Sequence, residues 1–286
     1  MGREGNRPPQ RLADINQRLA TLTAEQRIDW ALAHLPGEQV LSSSFGAQAA
    51  VSLHMVTVRR SDVPVVLVDT GYLFPQTWEF VRELSERLRL NLHTYRAAIS
   101  PVQMEARYGE LWMQGRDAIR FYNRMRKVEP MQRALAELAA GTWITGIRRQ
   151  QSESRSQIDF VELRDGCFKL HPLADWRDRD IWAYLKAHDL PYHPLWHDGY
   201  VSIGDTHSTT RWSEGMREED TRFSGLVRNA GCMREPHQKF PSSNGGECLA
   251  VLPSAAQESA AVDTENDRRP VSTPARPPTT RKETMP

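Results

Sequence analysis

The stretch that decides the fold is Val40-Leu41-Ser42-Ser43-Ser44-Phe45-Gly46-Ala47-Gln48-Ala49-Ala50-Val51-Ser52-Leu53-His54. It predicts a short buried strand, a turn of small residues, and a helix that begins near Gly46. Helical spacing would turn Ala50, Leu53 and Val58 inward. Free N–H groups at such a helix start attract a phosphate, a sulfate or a similar anion, and glycine lets the backbone come close to it. Serines at this place also act as ordinary helix caps, so the stretch alone leaves both interpretations open.

The composition is that of an ordinary globular protein. The chain has 286 residues, of which 39% are hydrophobic and 26% charged, and its net charge is +1. So balanced a charge gives no general attraction to nucleic acid, and an anion site must arise from local clustering. We find no apolar run that could span a bilayer and no secretory signal, which predicts a cytoplasmic protein without a membrane partner. The sparse cysteines, Cys167, Cys232 and Cys248, fit neither a disulfide framework nor a metal site and indicate a reducing compartment.

A second strand end is expected beside the first. Residues 63–68 are an unbroken apolar run of the kind found inside a parallel sheet, and Asp69, Thr70 and Tyr72 follow them. A helix at 76–89 and the strand after it would complete a βαβ unit. The prediction is therefore an α/β protein with a doubly wound, mostly parallel sheet. Such sheets bind ligands at the carboxyl ends of their strands, which puts these three side chains beside the serine turn.

Helical patterns surround these strands. Residues 8–35 contain two predicted helices, and residues 99–140 are mostly helical, with a cation-rich run that would ordinarily be a solvated helix face. Farther along the chain, Asp178 is expected to cap an amphipathic helix. That helix is predicted to hold Ile181, Trp182 and Leu185.

A third strand end carries a concentration of cations. Residues 142–145 form a predicted strand that runs into Gly146-Ile147-Arg148-Arg149-Gln150-Gln151-Ser152-Glu153-Ser154-Arg155. Because arginine grips phosphate and sulfate oxygens with two parallel hydrogen bonds, this loop favours anion binding over simple capping. A further predicted strand at 168–173 contains His171, which is either an additional donor or a structural histidine.

Five motifs, taken together and in this order, resemble those of the 3′-phosphoadenylyl-sulfate (PAPS) reductases of sulfate assimilation. They are Ser42–Ser52, Val68–Pro75, Arg126–Pro130, Gly146–Arg149 with Ser152 and Arg155, and Ser202–His207. The resemblance covers about residues 15–228. It implies an adenine nucleotide α-hydrolase-like fold, PAPS as the substrate, and thioredoxin or glutaredoxin as the reductant. The products would be sulfite and adenosine 3′,5′-bisphosphate, and a homodimer is also implied.

The substrate-binding residues expected from the motifs and from the anion chemistry are Ser42, Ser43, Ser44, Gly46, Asp69, Thr70, Tyr72, Lys127, Gly146, Arg148, Arg149, Ser152, Arg155 and His171. The arginines and Lys127 would offset the charges of PAPS, which would otherwise repel an approaching thiolate.

Close relatives that reduce adenylyl sulfate (APS) hold a [4Fe–4S] cluster on cysteine thiolates. Matching the motifs puts those cysteines at Tyr122, Asn123, Asp205 and Ser208 of this chain. Since iron–sulfur clusters need thiolates, we expect no bound cluster or metal, and a preference for PAPS over APS.

The nucleophile is where the chain departs from the family. The family's cysteine lies in a Glu-Cys-Gly-Leu-His motif near the C-terminus, attacks the sulfuryl group, and is freed by thioredoxin. This chain has Asn229 and Ala230 where the glutamate and cysteine would stand. Cys232 comes two residues late and is the candidate catalytic residue, since a positive field lowers the pKa of a thiol. Cys248 is an isolated partial match, and Cys167, at the start of a predicted strand, is expected to be a buried small hydrophobe.

These features divide the chain into three regions. We expect a helical extension at 1–36, a nucleotide-binding and catalytic domain at 37–228, and a disordered tail at 229–286, which is poor in apolar residues. The codons CGG AAT GCG GGC TGC ATG CGT GAA are permitted for residues 228–235. In the neighbouring frame they contain GAA TGC GGG CTG CAT GCG TGA, which encodes Glu-Cys-Gly-Leu-His-Ala and a stop. We therefore hypothesise that the tail results from a frameshift.

Two interpretations follow for the chain as written. It is an active reductase in which Cys232 replaces the family cysteine, or it binds PAPS or its product without turnover. An ATP pyrophosphatase of the same fold is disfavoured because the chain has no Ser-Gly-Gly-x-Asp-Ser loop.

Overall fold

The centre of the protein is a six-stranded sheet. The computed structural model describes residues 8–225. The strands are β1 (Glu38–Ser42), β2 (Pro64–Asp69), β3 (Asn91–Arg96), β4 (Ala140–Thr145), β5 (Val161–Arg164) and β6 (Cys167–Leu170). Their order is β3-β2-β1-β4-β6-β5, and every neighbouring pair is parallel except β5 and β6. The predicted doubly wound, mostly parallel sheet is therefore confirmed, with the change in strand order between β1 and β4.

Helices cover the sheet and connect its strands. They are α1 (Pro8–Ala20), α2 (Ala24–His34), α3 (Ala49–Thr57), α4 (Pro75–Leu88), α5 (Pro101–Tyr108), α6 (Arg116–Asn123), α7 (Glu129–Glu137) and α8 (Asp178–Ala187). None of the described helices has the length and apolar character needed to cross a bilayer.

The core lies mainly between the central strands and their helices. Leu41 of β1 and Leu67 of β2 are completely buried, as the apolar runs predicted. The two N-terminal helices pack against the same core through Leu19 and Ile28. The guanidinium of Arg27 also stacks over the ring of Phe160 at 3.9 Å. The predicted helical extension therefore packs directly on the sheet domain, while its boundary at residue 36 stays a prediction.

Val58 was predicted to face inward but points outward, and Trp182 of the predicted amphipathic helix also points outward. Val58 is 59% exposed because α3 ends at Thr57, which leaves Val58 at the helix cap. Trp182 is 54% exposed, since it lies about 100° around the helix from the buried Ile181. The predicted cap is also wrong: Asp178 is the first residue of α8, and Arg177 occupies the cap position.

The edge of the sheet contains a hairpin that the sequence analysis missed. β5 and β6 are joined by Asp165 and Gly166, both with positive φ. An Asp-Gly pair between two short strands is the usual signal of such a turn. The strand predicted at 168–173 is shorter, because β6 ends at Leu170. Cys167 follows the turn directly and is half-buried rather than buried, and burial raises the pKa of its thiol.

A second, smaller core lies in the mostly helical region at 99–140. It is built from Met104, Leu111, Ile119 and Tyr122 together with Phe223. Between α6 and α7 the helix widens into a π turn at Arg124–Val128. The predicted tail at 229–286, which includes Cys232 and Cys248, lies outside the described residues.

Candidate functional site

The serine turn follows β1 at the centre of the carboxyl edge. The Trp143 indole donates a hydrogen bond to Ser42 Oγ at 2.7 Å, and Ser43 Oγ accepts one from the Phe45 amide at 3.1 Å. Ser44 is exposed. Gln48 stands at the cap position of α3, and its side chain makes no capping hydrogen bond. The serines are therefore not the caps of α3. Its first turn is closed partly by backbone bonds, from the Ala49 amide to the Gly46 carbonyl at 3.1 Å and from the Val51 amide to the Gln48 carbonyl at 3.3 Å.

Two glycines allow close packing around this turn. A Cβ on Gly146 would lie 2.8 Å from Ser52 Oγ, so only glycine lets the end of β4 meet α3 without displacing that side chain. A Cβ on Gly46 would make only an ordinary contact of 3.5 Å with the Ile203 carbonyl. Gly46 is therefore not required by the packing around it.

The residues after β2 are engaged within the protein. The Asp69 carboxylate accepts hydrogen bonds from the Gly71 amide at 2.8 Å and from Arg96 at 2.7 Å. The Tyr72 hydroxyl donates to Glu105 at 2.5 Å, and burial together with that carboxylate raises the pKa of Tyr72. The Asp69 carboxylate therefore stabilises the loop that follows it.

Side chains from several segments at this edge contact Asp205, which was not among the predicted site residues. It is 1% exposed, and Lys127 Nζ lies 2.5 Å from its Oδ2. The same carboxylate accepts hydrogen bonds from Thr70 at 2.5 Å and from Tyr122 at 3.0 Å. Burial alone would raise the pKa of Asp205, but the charge of Lys127 and the hydrogen bonds from Lys127 and Thr70 hold it at about 2. Burial lowers the pKa of Lys127, and the Asp205 carboxylate opposes that shift.

The π turn explains how Tyr122 and Lys127 reach the same carboxylate. In a regular α-helix, residues five apart point about 140° away from each other. The wider turn between them brings the Lys127 ammonium to 5.5 Å from the centre of the Tyr122 ring. Arg126 donates to the Ile99 carbonyl at 2.7 Å, and its guanidinium lies 5.6 Å from the centre of the Tyr72 ring.

The arginines after β4 hold their own loop in place. Arg148 is 3% exposed and donates to Asp178 at 2.9 Å and to Gln48 at 2.7 Å. Arg149 donates to the Ile158 carbonyl at 2.9 Å, and Arg155 to Gln151 at 2.6 Å. Ser152 and Ser154 share a hydrogen bond of 3.1 Å. These cations are clustered as predicted, and each also has a structural contact.

His171 lies beneath this edge. It is completely buried, with Nδ1 2.7 Å from Thr145 Oγ1, and burial lowers its pKa. Its Nε2 is 3.9 Å from the Glu162 carboxylate. Of the two roles left open by the sequence, these contacts favour the structural one.

The structure therefore brings together only part of the predicted set. Hydrogen bonds and strand pairing join the serine turn, Thr70, Lys127 and Arg148 to neighbouring loops at the carboxyl ends of β1, β2 and β4. Of the missed residues, Tyr122 was matched only as a position of cysteine in the iron–sulfur relatives. Asp205 was matched in the same way and also lies within the Ser202–His207 motif. Those two are in contact here, and Ser208 Oγ donates to the Asp205 carbonyl at 3.3 Å. Within residues 8–225, no group of His, Cys, Asp and Glu has the arrangement of a metal site.

An uncapped helix start and a lysine at the carboxyl edge of a parallel sheet are typical of α/β proteins that bind phosphorylated ligands. The sequence model of the phosphoadenosine phosphosulfate reductase domain matches residues 38–211. This chain belongs to that family.

Individual relatives agree with this assignment. The chain is 59% identical over 217 residues to phosphoadenosine 5′-phosphosulfate reductase of Xanthomonas campestris pv. campestris, covering 76% of this chain and 90% of the relative. It is 56% identical over 220 residues to the enzyme of the same name from Pectobacterium atrosepticum, covering 77% and 90%.

Solved structures show the same fold. A phosphate complex of PAPS reductase from Candida auris has a TM-score of 0.61 at 29% identity, covering 73% of this chain and all of that one. Candida glabrata FMN adenylyltransferase shares the fold with a TM-score of 0.51 at 17% identity, covering 70% of this chain and 67% of that one. The predicted family, its fold and its class, an oxidoreductase acting on a sulfur group, are confirmed.

Proposed function

We propose that the protein reduces PAPS to sulfite and adenosine 3′,5′-bisphosphate, with thioredoxin or glutaredoxin as the electron donor. The observation that carries the proposal is the convergence of the family's motifs at one edge of the sheet in a chain that belongs to this family. Lys127 and the start of α3 both lie at that edge and are suited to an anionic substrate. We place the reaction in the cytoplasm and expect no nucleic acid or membrane partner.

The described residues have distinct roles in this proposal. The backbone N–H groups of Ser44 and Gly46 in the serine turn bind the phosphates or the sulfate, and Gly46 lets the ligand approach the backbone. Lys127 supplies a fixed positive charge. Arg148 acts chiefly by holding its loop, since its guanidinium is buried against Asp178 and Gln48. The remaining predicted residues are proposed as the second layer of the site.

The chemistry requires a thiolate. The thiolate attacks the sulfur of PAPS and forms an S–S bond, while the bond between sulfur and the phosphate oxygen breaks and releases adenosine 3′,5′-bisphosphate. A thiolate of thioredoxin then attacks the cysteine sulfur and releases sulfite. The second thioredoxin thiol resolves the mixed disulfide, so the two electrons come from the thioredoxin dithiol. Cys232 is our candidate for the attacking thiol, with no metal or cluster taking part.

A second candidate function is binding of PAPS or its product without turnover. The observation that favours it is the replacement of the expected Glu-Cys pair by Asn229 and Ala230. In that case no thiol reaches the bound sulfuryl group, because the reacting atoms must come within about 3–3.5 Å.

One experiment separates the two functions. The purified protein is incubated with PAPS, first alone and then with thioredoxin, thioredoxin reductase and NADPH. A reductase gains the mass of a sulfonate on a Cys232-containing peptide in the first step and releases sulfite in the second. A protein that binds adenosine 3′,5′-bisphosphate in calorimetry but gives neither product is the binding protein. Absence of both binding and turnover would refute the two proposals together.

A further inference from the structure

Asp205 is a buried carboxylate at which three separate segments meet. Thr70 comes from the loop after β2, Tyr122 from the end of α6, and Lys127 from the π turn that follows α6. Asp205 itself belongs to the segment at 202–209, which is tied to the first loop by a hydrogen bond of 2.9 Å from the Thr206 amide to the Tyr72 carbonyl.

The charges around Asp205 are unequal. Besides Lys127, the guanidinium of Arg222 lies close by, packed against Gly204, and it donates to Ser208 at 3.5 Å. The positive charge of Arg222 also helps to lower the pKa of Asp205. Two cations therefore act on the Asp205 carboxylate, and Arg222 is also attracted by Glu218.

The other groups that face Lys127 are uncharged. The Tyr122 and Phe223 rings each lie 5.5 Å from its ammonium. His207 contacts the Tyr122 hydroxyl at 3.0 Å, and burial lowers the pKa of His207 to about 4, so it is neutral at ordinary pH. Among the described residues, Asp205 is the carboxylate that contacts the Lys127 ammonium, while Glu105 acts on His207 and Glu218 on Arg222.

Resting on the proposed function, we propose that Asp205 is a positioning residue. It keeps Lys127 ionised and pointed at the carboxyl edge of the sheet, ready for the anionic group of PAPS. The carboxylate needs no contact with the substrate for this role. Without it, an ammonium in this buried place would lose its proton readily, because burial disfavours the charged form.

The protonation state of Lys127 can be measured without any activity assay. The chain has five lysines, so a protein labelled with 13C and 15N in lysine gives few signals, and Lys127→Arg identifies the one of interest. In the wild-type protein at neutral pH, we expect a Lys127 ammonium signal whose protons exchange slowly with water. A Lys127 ammonium whose protons exchange rapidly with water would overturn the proposal without any variant of Asp205.

The variant Asp205→Asn then tests whether the negative charge of Asp205 keeps Lys127 protonated. It keeps side-chain atoms that can bond to Thr70 and Tyr122, while the negative charge is lost. We expect the pH at which Lys127 is half protonated to fall by at least one unit, a tenfold change in its acid dissociation constant. Asp175→Asn is the matched control, because it removes the charge from another ion pair, 2.6 Å from Arg27. An Asp205→Asn protein that folds and leaves the Lys127 titration unchanged refutes the proposal.

The easier loss of the Lys127 proton in Asp205→Asn should also appear in turnover, as a new pH dependence of kcat/KM. In Asp205→Asn, kcat/KM for PAPS should fall with rising pH as Lys127 loses its proton, and should recover at least partly toward acid pH. In a Lys127→Arg background, Asp205→Asn should not introduce this pH dependence, because arginine stays charged. A merely structural role would lower kcat/KM equally at every pH. If the wild-type protein does not use PAPS at all, the proposed function fails, while the titrations still decide the role of Asp205.

Discussion

The buried guanidinium of Arg148 lies 2.9 Å from the Asp178 carboxylate, and this contact joins the loop after β4 to the first residue of α8. Asp178 itself is largely exposed, so the attraction between the two charges is partly screened by water. The larger contribution comes from satisfying a guanidinium that the fold has removed from water.

Arg148→Ala should therefore reduce stability as well as binding. We expect the free energy of unfolding to fall by about 2 kcal/mol, because Gln48 loses its partner and a buried space opens. Urea denaturation measures this change. Arg179→Ala, an exposed residue on α8, is the control and should change stability by less than about 0.5 kcal/mol.

For Arg155→Ala we expect PAPS binding in calorimetry to weaken by about 2–3 kcal/mol. Unchanged affinity would assign Arg155 to the structure of the loop alone.

Gly46→Ala should separate folding from ligand binding. The added methyl group makes only an ordinary contact in the free protein, so the melting temperature should hardly change. PAPS affinity should nevertheless fall at least tenfold if the ligand lies against this backbone. By contrast, Gly146→Ala should lower the melting temperature, and Ser52→Ala should partly restore it by removing the oxygen that lies 2.8 Å from the new carbon. A Gly46→Ala protein that is stable and binds normally would show that the ligand does not approach Gly46.

Stability should decline in mild acid in part because of His193. This side chain is completely buried between Thr77 and the Leu195 amide, and burial lowers its pKa to about 4 from the ordinary 6.5. The unfolded chain therefore takes up the proton first as pH falls. The contribution of about 3 kcal/mol is fully present above pH ~6.5 and is lost progressively toward pH ~4.

Unfolding by urea at several pH values between these limits gives the slope. In His193→Asn the slope should be smaller, whereas the same change at the exposed His197 should leave it as in the wild type. An unaltered slope in His193→Asn would assign the acid sensitivity to other groups.

The cysteines should differ sharply in their effect on turnover. Cys232→Ser should abolish whatever PAPS reduction the chain performs, while Cys167→Ser and Cys248→Ser should leave it largely intact. Cys167 is held in the sheet, and Cys248 is many residues from the domain.

Replacing everything after Arg228 with Glu-Cys-Gly-Leu-His-Ala should raise sulfite release well above that of the present chain. If it does not, the frameshift hypothesis loses its functional support, and sequencing the gene across codons 228–235 tests it directly.

Substrate preference is the remaining test of the site. We expect the purified protein to contain no iron and to prefer PAPS to APS, because the four positions matched to the cluster cysteines carry no thiol. Elemental analysis and parallel assays with the two substrates measure this. An iron–sulfur absorption band, or equal use of both substrates, would contradict it.

The sequence was sufficient for the parallel sheet and the family. The apolar run of β2 is long enough to specify a buried strand. The sequence was insufficient where tertiary contacts decide which side chains are buried. Trp182 belongs to a helix of the correct period, yet which face is covered depends on the packing of α8 against the sheet.

The site was predicted in part for the same reason. The polar ends of parallel strands must lie at one edge, so the serine turn and Thr70 could be placed together. Asp205 lies far along the chain in a loop-rich region, and only folding brings it to Lys127. The π turn that makes this contact possible has no signature in the local sequence that we recognised.

The backbone of Phe45 has a further consequence for the serine turn. Its φ of +49° is unusual for a bulky residue, and its ring is completely buried in the main core. The turn is therefore anchored by the hydrophobic core and cannot rearrange without withdrawing that ring. The entropy needed to order this backbone is spent when the chain folds, so a phosphorylated ligand that binds there, as proposed, meets a turn that is already in place.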